Sequence, residues 1–361
     1  MLYHLLYPLS EYFHAFNLFR YITFRAAYAL VTALVLSFLF GPLIIRKLKE
    51  MKIKDGGREN VPQLHQLKSE TPTMGGIMIL LSLLISTLLW ADLTNRYILL
   101  TCFATGWLGL LGFVDDYLKL TRKNSKGLGV KKKILGQVFL ALLIGFYLLF
   151  FPLNPAYATK TSLLFLKNTF IELGSFYVLF LILVIVGSSN AVNLTDGLDG
   201  LAIGVVLFAA AAYAGMSYLT GHFKIAQYLN ILFMKGSGEL TVFCTAMMGA
   251  SLGFLWFNAH PAEVFMGDTG SLALGGAIGL TAVLIKQEIL LLVVGAVFVV
   301  EALSVILQVL SFQLTGKRIF KMSPLHHHFE ILGWSESKIV VRFWIMAAIC
   351  ALIALSTLKI R

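Results

Sequence analysis

Five aspartates, Asp115, Asp116, Asp196, Asp199 and Asp268, stand at the ends of long apolar runs in a chain with only 18 acidic residues. A carboxylate at the edge of a membrane is costly to keep there and marks a candidate functional site. Asp115 and Asp116 are adjacent. Their repulsion calls for a cation or a shared proton, which suits magnesium coordination or general-base work on a phosphate. Lys119 follows Asp115 by one helical turn, on the same face.

A second cluster is NAVNLTDGLDG, residues 190–200. Asp196 and Asp199 are helical neighbours flanking Gly197 and Leu198, and Asn190, Asn193 and Thr195 add uncharged hydrogen-bonding groups. Gly197 and Gly200 let a ligand approach the backbone closely. The same turn reads equally well as a helix cap, and a helix N-terminus is itself an anion site. In FNAHPAEVFMGDTGS, residues 257–271, Asp268 precedes Thr269, Gly270 and Ser271, with Asn258 and His260 in the same connection. One hard carboxylate together with substrate phosphate oxygens is a usual way to hold magnesium. Phe265 offers a flat surface for a base.

His326, His327 and His328 follow Pro324 and Leu325. Three consecutive histidines diverge in direction, which disfavours a zinc site made from them alone, but one or two could donate to a diphosphate or move a proton. Lys68 and Thr73 open the second apolar run, and Lys131 lies in a basic segment before the fourth. These could hold phosphate, although a flank of positive charge explains any single lysine. Glu301 falls inside an apolar run, where pairing or a helix break is the simpler expectation.

The elements that position these residues are membrane helices. Hydrophobic residues make up 58% of the 361 and charged ones 13%, with mean hydropathy +0.83, outside soluble norms. At about twenty residues per crossing, spans are expected near 20–44, 74–91, 97–114, 134–152, 174–192, 201–219, 240–257, 270–285, 289–311 and 340–358. The fold class is all-α and polytopic, with about ten transmembrane helices in one domain, 1–361. Lysine and arginine concentrate in 45–73, 115–133 and 312–339, which are therefore cytoplasmic, with both termini periplasmic and the acidic segments on the cytoplasmic face. The opposite connections (92–96, 153–173, 220–239, 286–288) read as plain polar or aromatic links. The net charge of +11 favours anionic lipid head groups and polyanionic substrates. With no soluble domain to present a groove, no nucleic acid is expected. Cys102, Cys244 and Cys350 lack paired spacing and read as inert. Met1 to Arg25 lacks the pattern of a signal peptide and is expected to lie in the interface.

Together these segments resemble the polyprenyl-phosphate N-acetylhexosamine-1-phosphate transferase superfamily. The run Ser323-Pro324-Leu325-His326-His327-His328-Phe329-Glu330 is similar to the bacterial branch that makes the first lipid intermediate of peptidoglycan. The resemblance covers essentially the whole chain. It implies a multi-pass protein of the bacterial inner membrane that moves phospho-MurNAc-pentapeptide from UDP-MurNAc-pentapeptide to undecaprenyl phosphate, with Mg2+, releasing UMP. It assigns the essential acids to Asp115, Asp116 and Asp268, the magnesium ligand to Asp268, and uracil recognition to the region of Gly197, Asp199 and Phe265. His326 joins the expected catalytic set. Lys68, Thr73, Lys119, Lys131, Asn190, Asp196, Leu198, Asn258 and His327 join the substrate-binding set. A homodimer is left open. A related enzyme using UDP-GlcNAc is disfavoured by the intact histidine run. A secondary transporter for an anionic substrate would place its acids near the bilayer midplane rather than at helix ends.

Overall fold

The structure, a computed structural model, describes residues 1–51, 71–121, 127–163 and 169–360. Lys68 lies outside them. A short helix α1 (Leu2–Leu6) and two 3-10 segments precede α2 (Ile22–Glu50). Then come α3 (Gly76–Trp90), α4 (Arg96–Thr121), α5 (Val130–Phe150), α6 (Phe176–Thr195), α7 (Leu201–Gly221), α8 (Phe223–Leu229) and α9 (Leu240–Asn258). The chain continues through α10 (Gly267–Leu284), α11 (Leu291–Val294), α12 (Ala296–Thr315), α13 (Leu325–Ile331) and α14 (Glu336–Ile360). Strands β1 (Lys160–Ser162) and β2 (Phe170–Glu172) form one small antiparallel pair with Thr161 opposite Ile171.

Among the described residues, nine helices are long and apolar enough to cross a membrane, and α3, with 15 residues, is a shorter apolar helix. Every expected span thus has an apolar helix, with two departures. The second is too short to span alone at 1.5 Å per residue. The ninth is broken at Gly295, whose ψ of 22° leaves helical geometry, into α11 and α12. α4 also runs on to Thr121, so Asp115 and Asp116 sit in its last two turns rather than at its end.

α10 is the axis of the bundle. It packs on α4, α6, α3 and α7, and 94% of its most apolar window is buried. Its small residues allow this, as expected when helices must approach without bulky side chains between them. A Cβ on Gly112 would lie 2.2 Å from the Asp268 carbonyl oxygen, and one on Gly76 would lie 2.2 Å from the Gly270 nitrogen. Helices α4 and α3 therefore touch the start of α10 backbone to backbone. The two aspartates of α4 are delivered to Asp268 by that contact.

The connections at the other end are not plain links. The Arg25 guanidinium donates to both oxygens of Glu239, at 2.6 and 2.5 Å. Glu288, fully enclosed, accepts from Tyr177 Oη at 2.7 Å and Thr161 Oγ1 at 2.8 Å. Lys286 Nζ donates to the Ala158 carbonyl at 2.9 Å. Composition could not reveal this network, because its partners are more than a hundred residues apart. Burial raises the Glu288 carboxyl above its ordinary range and, against the pull of Glu288, lowers Lys286 to about 8. Between about 8 and the ordinary 10.5 the unfolded chain keeps a proton that the folded chain has released, so this residue makes stability rise with pH across that window. Lys286→Gln should remove that rise from the thermal midpoint of the purified protein measured from pH 7.5 to 10.5; an unchanged slope would contradict it.

Candidate active site

At one end of α10 the three carboxylates of Asp115, Asp116 and Asp268 converge, each buried, with oxygens within 4.8 Å of one another. Their surroundings differ, and so do the uses each can serve. Asp116 accepts the backbone N–H groups of Asp268 at 3.2 Å and Thr269 at 2.9 Å, plus Thr269 Oγ1 at 2.7 Å. It caps the first turn of α10 from outside, satisfying amides that have no partner within that helix. Gly267 makes room for it: with φ +73°, a Cβ there would stand 2.7 Å from Asp116 Oδ2 and 3.1 Å from Thr73 Oγ1. Thr73 therefore borders this turn.

Asp268 accepts from Asn193 Nδ2 through Oδ1 at 2.7 Å. Its Oδ2 lies 2.7 Å from Lys133 Nζ and 3.0 Å from Lys119 Nζ. Asp115 is paired with Lys119 at 2.6 Å and accepts the Leu128 amide at 2.8 Å. The Lys119 ammonium thus bridges carboxylates from two helices, with Asp116 a further 3.7 Å away. Carboxylate oxygens gathered at one point could hold a metal ion, and the ammonium groups between them suit a phosphate.

Lys133 and Asn193 make the contacts to Asp268, whereas Lys131 and Asn190, expected to bind substrate, do not reach it. Lys131 is exposed, and Asn190 donates to Gln137 Oε1 at 2.7 Å and to the Val186 carbonyl at 2.8 Å, a turn deeper. A signal existed: α5 buries Gln137, Leu140, Ala141 and Ile144, and one turn back along that stripe is Lys133. Lys133→Met should lower turnover by at least ten-fold more than Lys131→Met, since the first unpairs a buried carboxylate. Equal losses in the two purified variants would refute that ordering.

A second group forms between the α6–α7 turn, the 259–266 connection and the start of α14. Asp199 Oδ2 accepts from the Ala262 amide at 3.2 Å and lies 3.1 Å from His260 Nδ1. Glu336, which sequence reasoning did not single out, accepts the Asp199 amide at 2.8 Å and lies 3.3 Å from the same His260 nitrogen. Asn258 ties the Gly200 amide at 3.0 Å to the Val264 carbonyl at 2.8 Å. The Phe265 amide donates to the Pro72 carbonyl at 2.8 Å, and its own carbonyl accepts from the Gly75 amide. Phe265 is half-buried on this scaffold. Leu198 is buried with Leu201, Ile339 and Val340, a packing role. Asp196 ends α6, its ψ of 60° leaving helical geometry, and Gly197 follows, half-buried.

The histidines diverge as expected. His326 turns inward, where a Cβ on Gly197 would stand 2.2 Å from its Nε2. His327 Nδ1 lies 2.6 Å from Glu330, and His328 Nδ1 accepts the Lys321 amide at 3.1 Å.

A helical membrane bundle with acids, lysines and a glycine turn at one end is the architecture of a membrane-embedded transferase of phosphate-bearing substrates. The model of glycosyl transferase family 4 matches residues 97–286, and the phospho-N-acetylmuramoyl-pentapeptide-transferase signature 1 matches residues 68–80. Proteins named phospho-N-acetylmuramoyl-pentapeptide-transferase from Endomicrobium trichonymphae and Citrifermentans bemidjiense are each 55% identical to this chain, and one from Geobacter sp. (strain M21) is 54% identical, all over 361 residues that cover both partners completely. The chain belongs to the phospho-N-acetylmuramoyl-pentapeptide-transferase family.

Proposed function

We infer that this protein transfers phospho-MurNAc-pentapeptide from UDP-MurNAc-pentapeptide to undecaprenyl phosphate, giving the lipid-linked diphospho-sugar and UMP. The observation that carries the reading is full-length identity of 55% to relatives bearing that name, and the three converging carboxylates give it a chemical centre. The whole chain acts as one domain in the bacterial inner membrane, its acid-bearing end toward the cytoplasm and both termini in the periplasm.

The residues fit Mg2+: carboxylate oxygens only, of which Asp268 is the ligand at the start of α10. Bound there, Mg2+ would supply Lewis-acid stabilisation of charge on diphosphate oxygens. The remaining work belongs to the chain itself. Two phosphate-bearing substrates repel, and Lys119 and Lys133 offer them countercharge within a geometry set by α4, α5 and α10. Asp116, occupied by amides, holds α10 in place. Asp115 orients or deprotonates the lipid phosphate for direct attack on the β-phosphorus. Phe265 stacks on uracil beside the 196–200 turn, where Gly197 admits the ligand to the backbone. Purified protein given both substrates and Mg2+ should release UMP in step with lipid product, and no UMP from that mixture would overturn the reading.

A further inference from the structure

Glu301 is fully enclosed on α12, a helix of which only 28% of the apolar window is buried. A carboxylate is costly to place there unless its oxygens are used. One oxygen accepts the Leu325 amide at 2.8 Å, the other accepts the His326 amide at 3.2 Å, and the first lies 3.2 Å from His326 Nδ1. The backbone of His326 is thereby held by the carboxylate that also stands beside its ring. Both ring nitrogens are buried without a hydrogen-bond partner: Nδ1 stands beside the Glu301 carboxylate at ion-pair distance, and the opposite one, Nε2, faces Gly197, the residue whose lack of a side chain lets the imidazole reach the α6–α7 turn. His327, its ring centroid 4.2 Å away, turns instead to Glu330.

We propose that Glu301 is a positioning residue for the transfer reaction, fixing His326 through its backbone amide and through the negative charge beside Nδ1, so that Nε2 is presented at the Gly197 turn to a diphosphate oxygen of the nucleotide substrate. This rests on the functional reading above. With a proton on each ring nitrogen, the one on Nδ1 faces the Glu301 carboxylate, which sets the ring's orientation, and the one on Nε2 is left to donate to a diphosphate oxygen. The unpartnered Nε2 then has its partner when substrate binds.

The test is a double-mutant cycle of Glu301→Gln and His326→Ala in the full-length purified protein, reading KM for each substrate, kcat and the dissociation constant for UMP. Glu301→Gln should raise KM for the UDP-substrate about 10-fold with KM for the lipid phosphate unchanged. In the His326→Ala background the same change should cost under about two-fold, since a residue acting through His326 has nothing left to position. Additive losses, or equal shifts in both KM values, would show a merely structural cap and overturn the proposal. Should Glu301→Gln fail to fold, Gly197→Ala displaces Nε2 from the other side; it should give the same selective rise in KM and the same non-additivity with His326→Ala, and additive losses there overturn the proposal equally. A wild-type protein that turns over no UDP-substrate overturns the functional reading and this proposal with it.

Discussion

Asp268→Asn should give a folded protein that turns over at about a thousandth of the wild-type rate or less, the scale of losing a principal electrostatic group in a preorganised site. Asparagine keeps the size, and one oxygen remains to accept from Asn193. What is lost is the charge that Lys119 and Lys133 face at 3.0 and 2.7 Å and the carboxylate proposed as the metal ligand at the start of α10. The Asp116 cap uses the backbone of residue 268, so the helix start is retained and the thermal midpoint should move by only a few degrees. UMP release, with size-exclusion and thermal profiles alongside, reads both parts. Near-normal activity at ordinary magnesium would remove Asp268 from the ligand role.

Asp115→Asn is the second large loss, roughly the 10²–10⁴-fold typical of removing general-base help. Its two oxygens hold Lys119 at 2.6 Å and the Leu128 amide at 2.8 Å, which fixes the carboxylate beside the ammonium that would meet a lipid phosphate. Direct attack and double displacement predict different behaviour of the wild type with the UDP-substrate alone. In direct attack no UMP appears without the lipid phosphate. In double displacement UMP is released stoichiometrically while labelled phospho-sugar stays on the protein. A phospho-sugar trapped on Asp115 would sink the direct mechanism.

The class of fold was readable from composition and from runs of apolar residues, because a lipid-facing helix must be apolar along its length. Lysine and arginine asymmetry grouped the acidic segments on one face, and the structure brings Asp115, Asp116 and Asp268 together at one end of α10. Tasks within the cluster were less legible. Asp116 looks like Asp115 in sequence, yet its partners are amides 152 and 153 positions away. Which lysine of 131–133 turns inward depends on the rotation of α5, which its buried stripe records only faintly. Lys68 and the rest of 52–70 lie outside the described residues. The Arg25–Glu239 and Glu288 networks were invisible for the same reason as Asp116: long-range pairing leaves no local periodicity.

The burial of α10 has a mechanical consequence. Helices in a bilayer thicker or thinner than their apolar length respond by tilting, and the response falls on those that touch lipid. α2, α12 and α14 have only 28% of their apolar windows covered, whereas α10 has 94% covered and meets α3 and α4 through backbone. A change in bilayer thickness therefore has little lipid-facing surface on α10 through which to act. Strain from a mismatched bilayer falls first on the rim, and Asp268, at the start of α10, is more shielded from it than Asp115 and Asp116 on the half-covered α4.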